Sequence, residues 1–244
     1  KIVECYKNSK KFSKFFEQKG LPFYILDKFL HCLTFIYPQK DLDLENLKIE
    51  DTKYLFGRSG LANTMSFNGN LSKTKKTFRY KKHTIENFGR IFKLPNLKKY
   101  SSKLYNICDK IKKSEGIIIV YSRFIYAGAI PIALALEEMG LKRYGHESLF
   151  KENDTPPVNY KMQTKTASQK NFTQAGYIII SGEKGLSPNN NMDIKAVTDK
   201  DNTNGEKIKV VIISKAGSEG LDFKNIRQVH ILDPWYNLNR NEQI

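Results

Sequence analysis

Two kinds of periodicity divide the chain. Short β-branched runs stand at Ile117–Tyr121 (IIIVY), Gly176–Ser181 (GYIIIS), Lys209–Ile213 (KVVII) and Gln228–Leu232 (QVHIL). Each has the length of a buried strand, and small or polar residues follow each one. Helical patterns lie between them. Leu104, Ile107, Cys108 and Ile111 recur at i, i+3, i+4 and i+7 behind Ser101 or Ser102, either of which can cap that helix. A second helix is expected from about Tyr126 to Met139, ended by Gly140, and a short one within Asn189 to Lys200. Strands alternating with helices predict an α/β fold on a parallel sheet.

The first hundred residues read differently. Phe12, Phe15 and Phe16 fall at helical spacing before Gly20-Leu21-Pro22, and Leu26, Phe29, Leu30 and Leu33 repeat the pattern up to Pro38. Both stripes are read as core. His31 has no partner at ligand spacing, so it is read as a packed or surface histidine rather than a metal ligand. From 38 to 100 the periodicity is weak. Thr77 to Lys82 alternates aromatic and basic residues, as suits a strand with one packed and one charged face. Residues 145–175 are polar with paired prolines, which predicts an exposed, partly mobile insertion.

Charge sharpens this division. The net charge is +16, with 21 Lys and Arg against nine Asp and Glu in residues 1–100, and 20 against 16 in the rest. Ten basic residues crowd Lys73 to Lys99, opposed only by Glu86. That density fits a polyanionic partner, nucleic acid first; the alternative is a solvated lysine-rich surface. Cys5, Cys32 and Cys108 follow neither disulfide nor metal spacing and are read as free thiols, Cys32 and Cys108 buried ones, in a reducing compartment. No apolar run approaches the roughly 18 residues that span a bilayer, so no membrane partner is expected. The length of 244 residues suits one large or two modest domains.

The most informative stretch is the last. S-K-A-G-S-E-G-L-D-F (214–223) is followed by D-P-W-Y-N (233–237) and R-N-E-Q (240–243). Its glycines alone fit either a phosphate-binding loop or the turns of any strand-to-strand connection. The whole string resembles motif V, motif Va and the opening of motif VI of superfamily 2 helicases. The nearest subgroup is the helicases and transcription ATPases of large DNA viruses, and the Swi2/Snf2 translocases are more distant. Tyr121-Ser122-Arg123-Phe124 with Ala127-Gly128 resembles motif IV of the same viral proteins.

The resemblance implies the following. The fold is a RecA-like parallel sheet flanked by helices, the C-terminal helicase lobe at 101–244, preceded by a helical and basic inter-lobe segment at 1–100. Ser122, Arg123, Ser214, Lys215 and Ala216 touch nucleic acid, DNA or RNA; for Arg123 a structural salt bridge is the alternative. Glu219, Gly220 and Asp222 face the nucleotide, with Glu219 either bonding the ribose or ordering the loop. Asp233, Trp235 and Gln243 couple the lobes, and Trp235 either stacks on a base or anchors packing. ATP and Mg²⁺ are the implied cofactors, held mainly by the other lobe. RNA polymerase or other transcription proteins are implied partners, in a cytoplasmic viral factory or virion.

Some motor parts are missing from these residues. There is no G-x-x-x-x-G-K-[S/T] and no D-E-x-H or D-E-A-D box, and Gln243 stands where motif VI would open. The chain starts at Lys1 and stops one residue after Gln243, so it is read as a piece of a longer polypeptide, inactive alone as an ATPase. The rival readings are a nucleic-acid-binding module that kept the lobe without the motor and, more remotely, an ordinary doubly wound nucleotide-binding enzyme. The last would need a glycine fingerprint at a first βα turn, which is absent.

Overall fold

A computed structural model describes residues 1–9, 23–43, 45–67, 77–166, 171–215 and 222–234. In chain order its elements are α1 (Ile2–Lys7), α2 (Phe23–Thr34), α3 (Gly57–Thr64), β1 (Met65–Phe67), β2 (Phe78–Tyr80), α4 (Lys82–Phe88), α5 (Leu94–Tyr100) and α6 (Ser102–Lys113). They continue with β3 (Ile117–Tyr121), α7 (Ile130–Glu138), β4 (Lys142–Arg143), β5 (Gly176–Ile180), α8 (Asn190–Val197), β6 (Ile208–Ile213) and β7 (Ile226–Ile231). The expected helix around Phe12, Phe15 and Phe16, and Ala216, Glu219, Gly220, Trp235 and Gln243, lie outside the described residues.

Five strands form one parallel sheet in the order β4-β5-β6-β3-β7. This is the α/β parallel sheet that the alternating pattern predicts, in the RecA-like arrangement that the resemblance implies. β3 and β5 are buried along their whole length because helices or loops cover both faces. On one face Ile118, Val120, Tyr177, Ile179, Val210 and Ile212 meet α6 and α7. On the other, Ile119, Tyr121, Ile178, Ile180, Val211 and Ile213 meet Val197 and Ile194 of α8 and Phe223. The cap of α6 is Ser101, whose hydroxyl oxygen accepts the Leu104 N–H at 3.0 Å.

Two segments gain detail and two expectations, for α2 and for the helix after β3, change. From the segment before α6, Phe35, Tyr37, Leu61, Met65, Phe78, Ile91, Phe92 and Leu97 share the core of α6 and α7. Within 145–175, Leu149, Phe150, Val158 and Ala175 are buried, so a strap at Leu149 and Phe150 is held down while most other described residues of the stretch are at least partly exposed. The strap is held by the buried carboxylate of Glu137, which accepts the Leu149 and Phe150 N–H groups at 2.7 and 2.8 Å and the Tyr177 hydroxyl at 2.7 Å. The buried face of α2 is Ile25 and Phe29 against Tyr6, leaving Leu26 and Leu33 exposed and Cys32 only half-buried. The helix after β3 opens as a π-turn at Ile125–Ala129, because Pro131 has no N–H to return to the preceding turn.

Candidate nucleic-acid interface

Open parallel sheets place ligands beyond the carboxyl ends of their strands, where the connections leave polar residues. Here β3 ends into Ser122 and Arg123, β6 into Ser214 and Lys215, and β7 into Leu232 and Asp233. Strand order makes β3 the neighbour of both β6 and β7, so residues 90 and more positions apart in sequence meet on this edge.

Over β3 and β7 they close into a knot. Ser122 Oγ donates to Asp233 Oδ1 at 2.5 Å, and the Arg123 N–H donates to Asp233 Oδ2 at 2.9 Å. The Arg123 guanidinium gives Nη2 to Asp27 Oδ1 of α2 at 2.8 Å, and its Nε lies 3.6 Å from Asp233 Oδ2. Its Cζ stands 4.4 Å from the centroid of the Phe124 ring, against whose ring His31 packs at 3.8 Å. Gly128 completes the knot, since a Cβ there would overlap the Ser122 hydroxyl. The side chain of Arg123 is 7% exposed and Asp233 is 3% exposed. Burial pushes the Asp233 carboxyl up to about 6, opposed by the Ser122 and Arg123 hydrogen bonds and charges. His31 is pushed down, first by burial, while Asp27 raises it and Arg123 lowers it.

Over β5 and β6 the edge is different. Ser214 is buried, and its N–H donates to the Ile180 carbonyl at 2.9 Å, so it extends the sheet. Lys215 is exposed, as are Asp222, which precedes β7, and Lys184, four residues past β5. The Ser181 and Ser187 hydroxyls, 2.7 Å apart, fix the turn between them, and the Glu183 N–H donates to Ser181 Oγ at 3.2 Å.

Of the expected site residues, the structure brings Ser122, Arg123 and Asp233 into one hydrogen-bonded group and leaves Lys215 and Asp222 outside it. Ser122 and Arg123 were expected to face nucleic acid, with a structural salt bridge as the alternative for Arg123, and Asp233 to couple lobes; their side chains face one another, and Arg123 forms ion pairs with Asp27 and Asp233. Sequence reasoning missed Asp27, which lies 96 positions from Arg123 within an apolar helix that carries no signal of it. Among the described residues no group of three or more His, Cys, Asp or Glu could hold a metal ion. Asp222 is the one described carboxylate from the expected nucleotide-facing set, so Mg²⁺ and ATP phosphates need ligands from beyond this set. No helix among the described residues is long and apolar enough to cross a membrane.

No known protein-family profile matches the chain. Individual proteins do. A termination factor NPH-I homolog of African swine fever virus is 31% identical over 157 residues, covering 59% of this chain and 22% of that protein. A protein of Acanthamoeba polyphaga mimivirus named as an ATP-dependent RNA helicase is 32% identical over 153 residues, 62% of this chain and 22% of its own length. A second mimivirus protein of the same naming is 26% identical over 215 residues, 84% of this chain and 38% of itself. The chain therefore spans about a fifth to two-fifths of the length of these relatives.

Proposed function

We propose that this chain, a relative of the superfamily 2 helicases of large DNA viruses, works as the second RecA-like lobe of an ATP-dependent nucleic-acid translocase in viral transcription. The observation that carries the reading is the convergence of three motif-like segments on one sheet edge. Residues 122–123, 214–215 and 233 leave adjacent strands side by side.

In this reading the edge has a grip and a brace. Lys215, with the backbone that runs on to Ala216, holds the sugar-phosphate backbone by charge, which carries no sequence code. Ser122, Arg123 and Asp233 form the brace that ties β3, β7 and α2 into one body. A load on the grip then moves the whole lobe. Glu219, Gly220 and Asp222 present one wall of the ATP cleft, and Trp235 and Gln243 continue toward the other lobe. That lobe would supply the phosphate-cradling lysine and the Mg²⁺ carboxylates. Closing the lobes on ATP and reopening them after hydrolysis steps the protein along its track.

The test is ATP hydrolysis by the intact protein, with and without polynucleotide, beside Asp222→Ala. Stimulated turnover lost in the variant supports the motor with Asp222 in the cleft. No turnover with any polynucleotide, alongside salt-sensitive binding, sinks the motor and favours a non-catalytic nucleic-acid-binding module.

A further inference from the structure

One cation at the edge has no role in this scheme. Arg58 sits in the first turn of α3, and two glycines seat that helix. Gly57 takes a φ of 62°, and a Cβ on Gly60 would press into the Tyr37 ring and the Tyr54 carbonyl. The Tyr37 hydroxyl donates to the Tyr126 carbonyl oxygen at 2.5 Å. α3 and the π-turn after β3 are thus locked together, and the Arg58 guanidinium carbon stands 5.9 Å from the centroid of the Tyr126 ring. The side chain is exposed, and among the described residues it joins no ion pair.

Strand order gives this placement its meaning. Lys184 follows β5, Lys215 follows β6, and Arg58 packs on Tyr126 in the turn that follows β3, and β5, β6 and β3 are three consecutive strands. Adjacent strands lie about 4.8 Å apart, so the three exits span roughly 10 Å of the edge. We propose that Arg58, oriented by the Tyr126 ring, is a phosphate-binding residue that continues the Lys184–Lys215 row as a track for one nucleic-acid strand. The proposal rests on the nucleic-acid reading above and adds a residue that no helicase motif in the sequence marks.

The chemistry favours arginine at this position. A guanidinium laid over an aromatic face keeps its in-plane N–H donors for a phosphate, and the ring holds it ready so that less side-chain freedom is lost on binding. The Tyr126 hydroxyl is raised first by burial, lowered by Arg58 and raised by Glu183, so Glu183 is an opposing charge near the Arg58–Tyr126 pair, on the β5 side. Removing that carboxylate gives a test of opposite sign.

The experiment is fluorescence anisotropy of a labelled single-stranded oligonucleotide with the intact protein across a salt series. Arg58→Ala should weaken binding several-fold and reduce the slope of log affinity against log salt by roughly 0.7 to 1. Tyr126→Leu should weaken it less, and Glu183→Gln should tighten it. Lys112→Ala, an exposed lysine of α6 beside the amino end of β3, should change nothing. If Arg58→Ala matches the wild type in affinity and slope while Lys215→Ala does not, Arg58 is not on the track and the functional reading survives. If the wild type itself shows no salt-dependent binding, both fall.

Discussion

The two halves of the carboxyl edge obey the same local rule and end in opposite states. Both begin with polar residues released by a buried strand. Over β3 and β7, Asp27 and Asp233 reach Arg123 from two other elements, and the result is a closed knot around a buried guanidinium, with Asp27 at its partly exposed rim. Over β5 and β6, Lys184 and Lys215 remain exposed at the surface. A cation shared by two carboxylates in a buried site works as a strut, because separating it strands a charge. An exposed lysine suits a grip, because in pairing with a phosphate it releases the cations condensed on the nucleic-acid backbone. What separates the two halves is burial: the Arg123 guanidinium is enclosed, whereas the Lys215 side chain is exposed.

The strut is the place where a single change should cost most. Arg123→Ala leaves Asp233 buried without its cation and should lower unfolding stability by about 3–5 kcal/mol, read from urea denaturation. An unchanged midpoint would mean that the knot carries no load. Asp233 sharpens the same point through pH. Its folded carboxyl titrates near 6, above the usual carboxylate range, so its contribution is fully present below about 4 and is lost as pH rises through 6. The stability of the wild type relative to Asp233→Asn should therefore fall by up to about 3 kcal/mol between pH 4 and pH 7.5. A flat difference across that range contradicts the shift.

Two smaller effects bound the comparison. Gly128→Ala pushes a methyl group into Ser122 and should cost about 1–3 kcal/mol, measured as a lower melting temperature. On the open half, Lys215→Ala should leave stability within about 0.5 kcal/mol and act only on binding. A melting temperature that drops as far as in Gly128→Ala would move Lys215 from the grip to the frame.

Much of this architecture was legible in advance for a physical reason. A strand buried on both faces needs an unbroken apolar run, so 117–121, 176–180 and 209–213 announced themselves. α6 carried both its stripe and its cap. What escaped reading was set by partners distant in sequence. Nothing in FYILDKFLHCLT marks Asp27 as the counter-ion of Arg123, or tells that Ile25 rather than Leu26 faces inward. Leu149 and Phe150 looked like isolated apolar residues in a polar stretch until Glu137 supplied acceptors for their N–H groups. Lys209 is fully buried inside a β-branched strand, its Nζ donating to the Ser114 carbonyl at 2.6 Å and its pKa lowered to about 8 by burial. One clue was available and went unused: Pro131 inside the expected 126–139 helix forecasts the irregular turn before it.

The most direct test sets the two halves side by side. The salt dependence of single-strand binding is measured for Arg123→Ala and Lys215→Ala, at a temperature where circular dichroism finds both folded. The grip-and-brace account predicts that Lys215→Ala loses roughly 0.7 to 1 from the salt slope while Arg123→Ala, though much less stable, keeps the wild-type slope. A slope lost in Arg123→Ala and kept in Lys215→Ala would reverse the assignment and contradict the account.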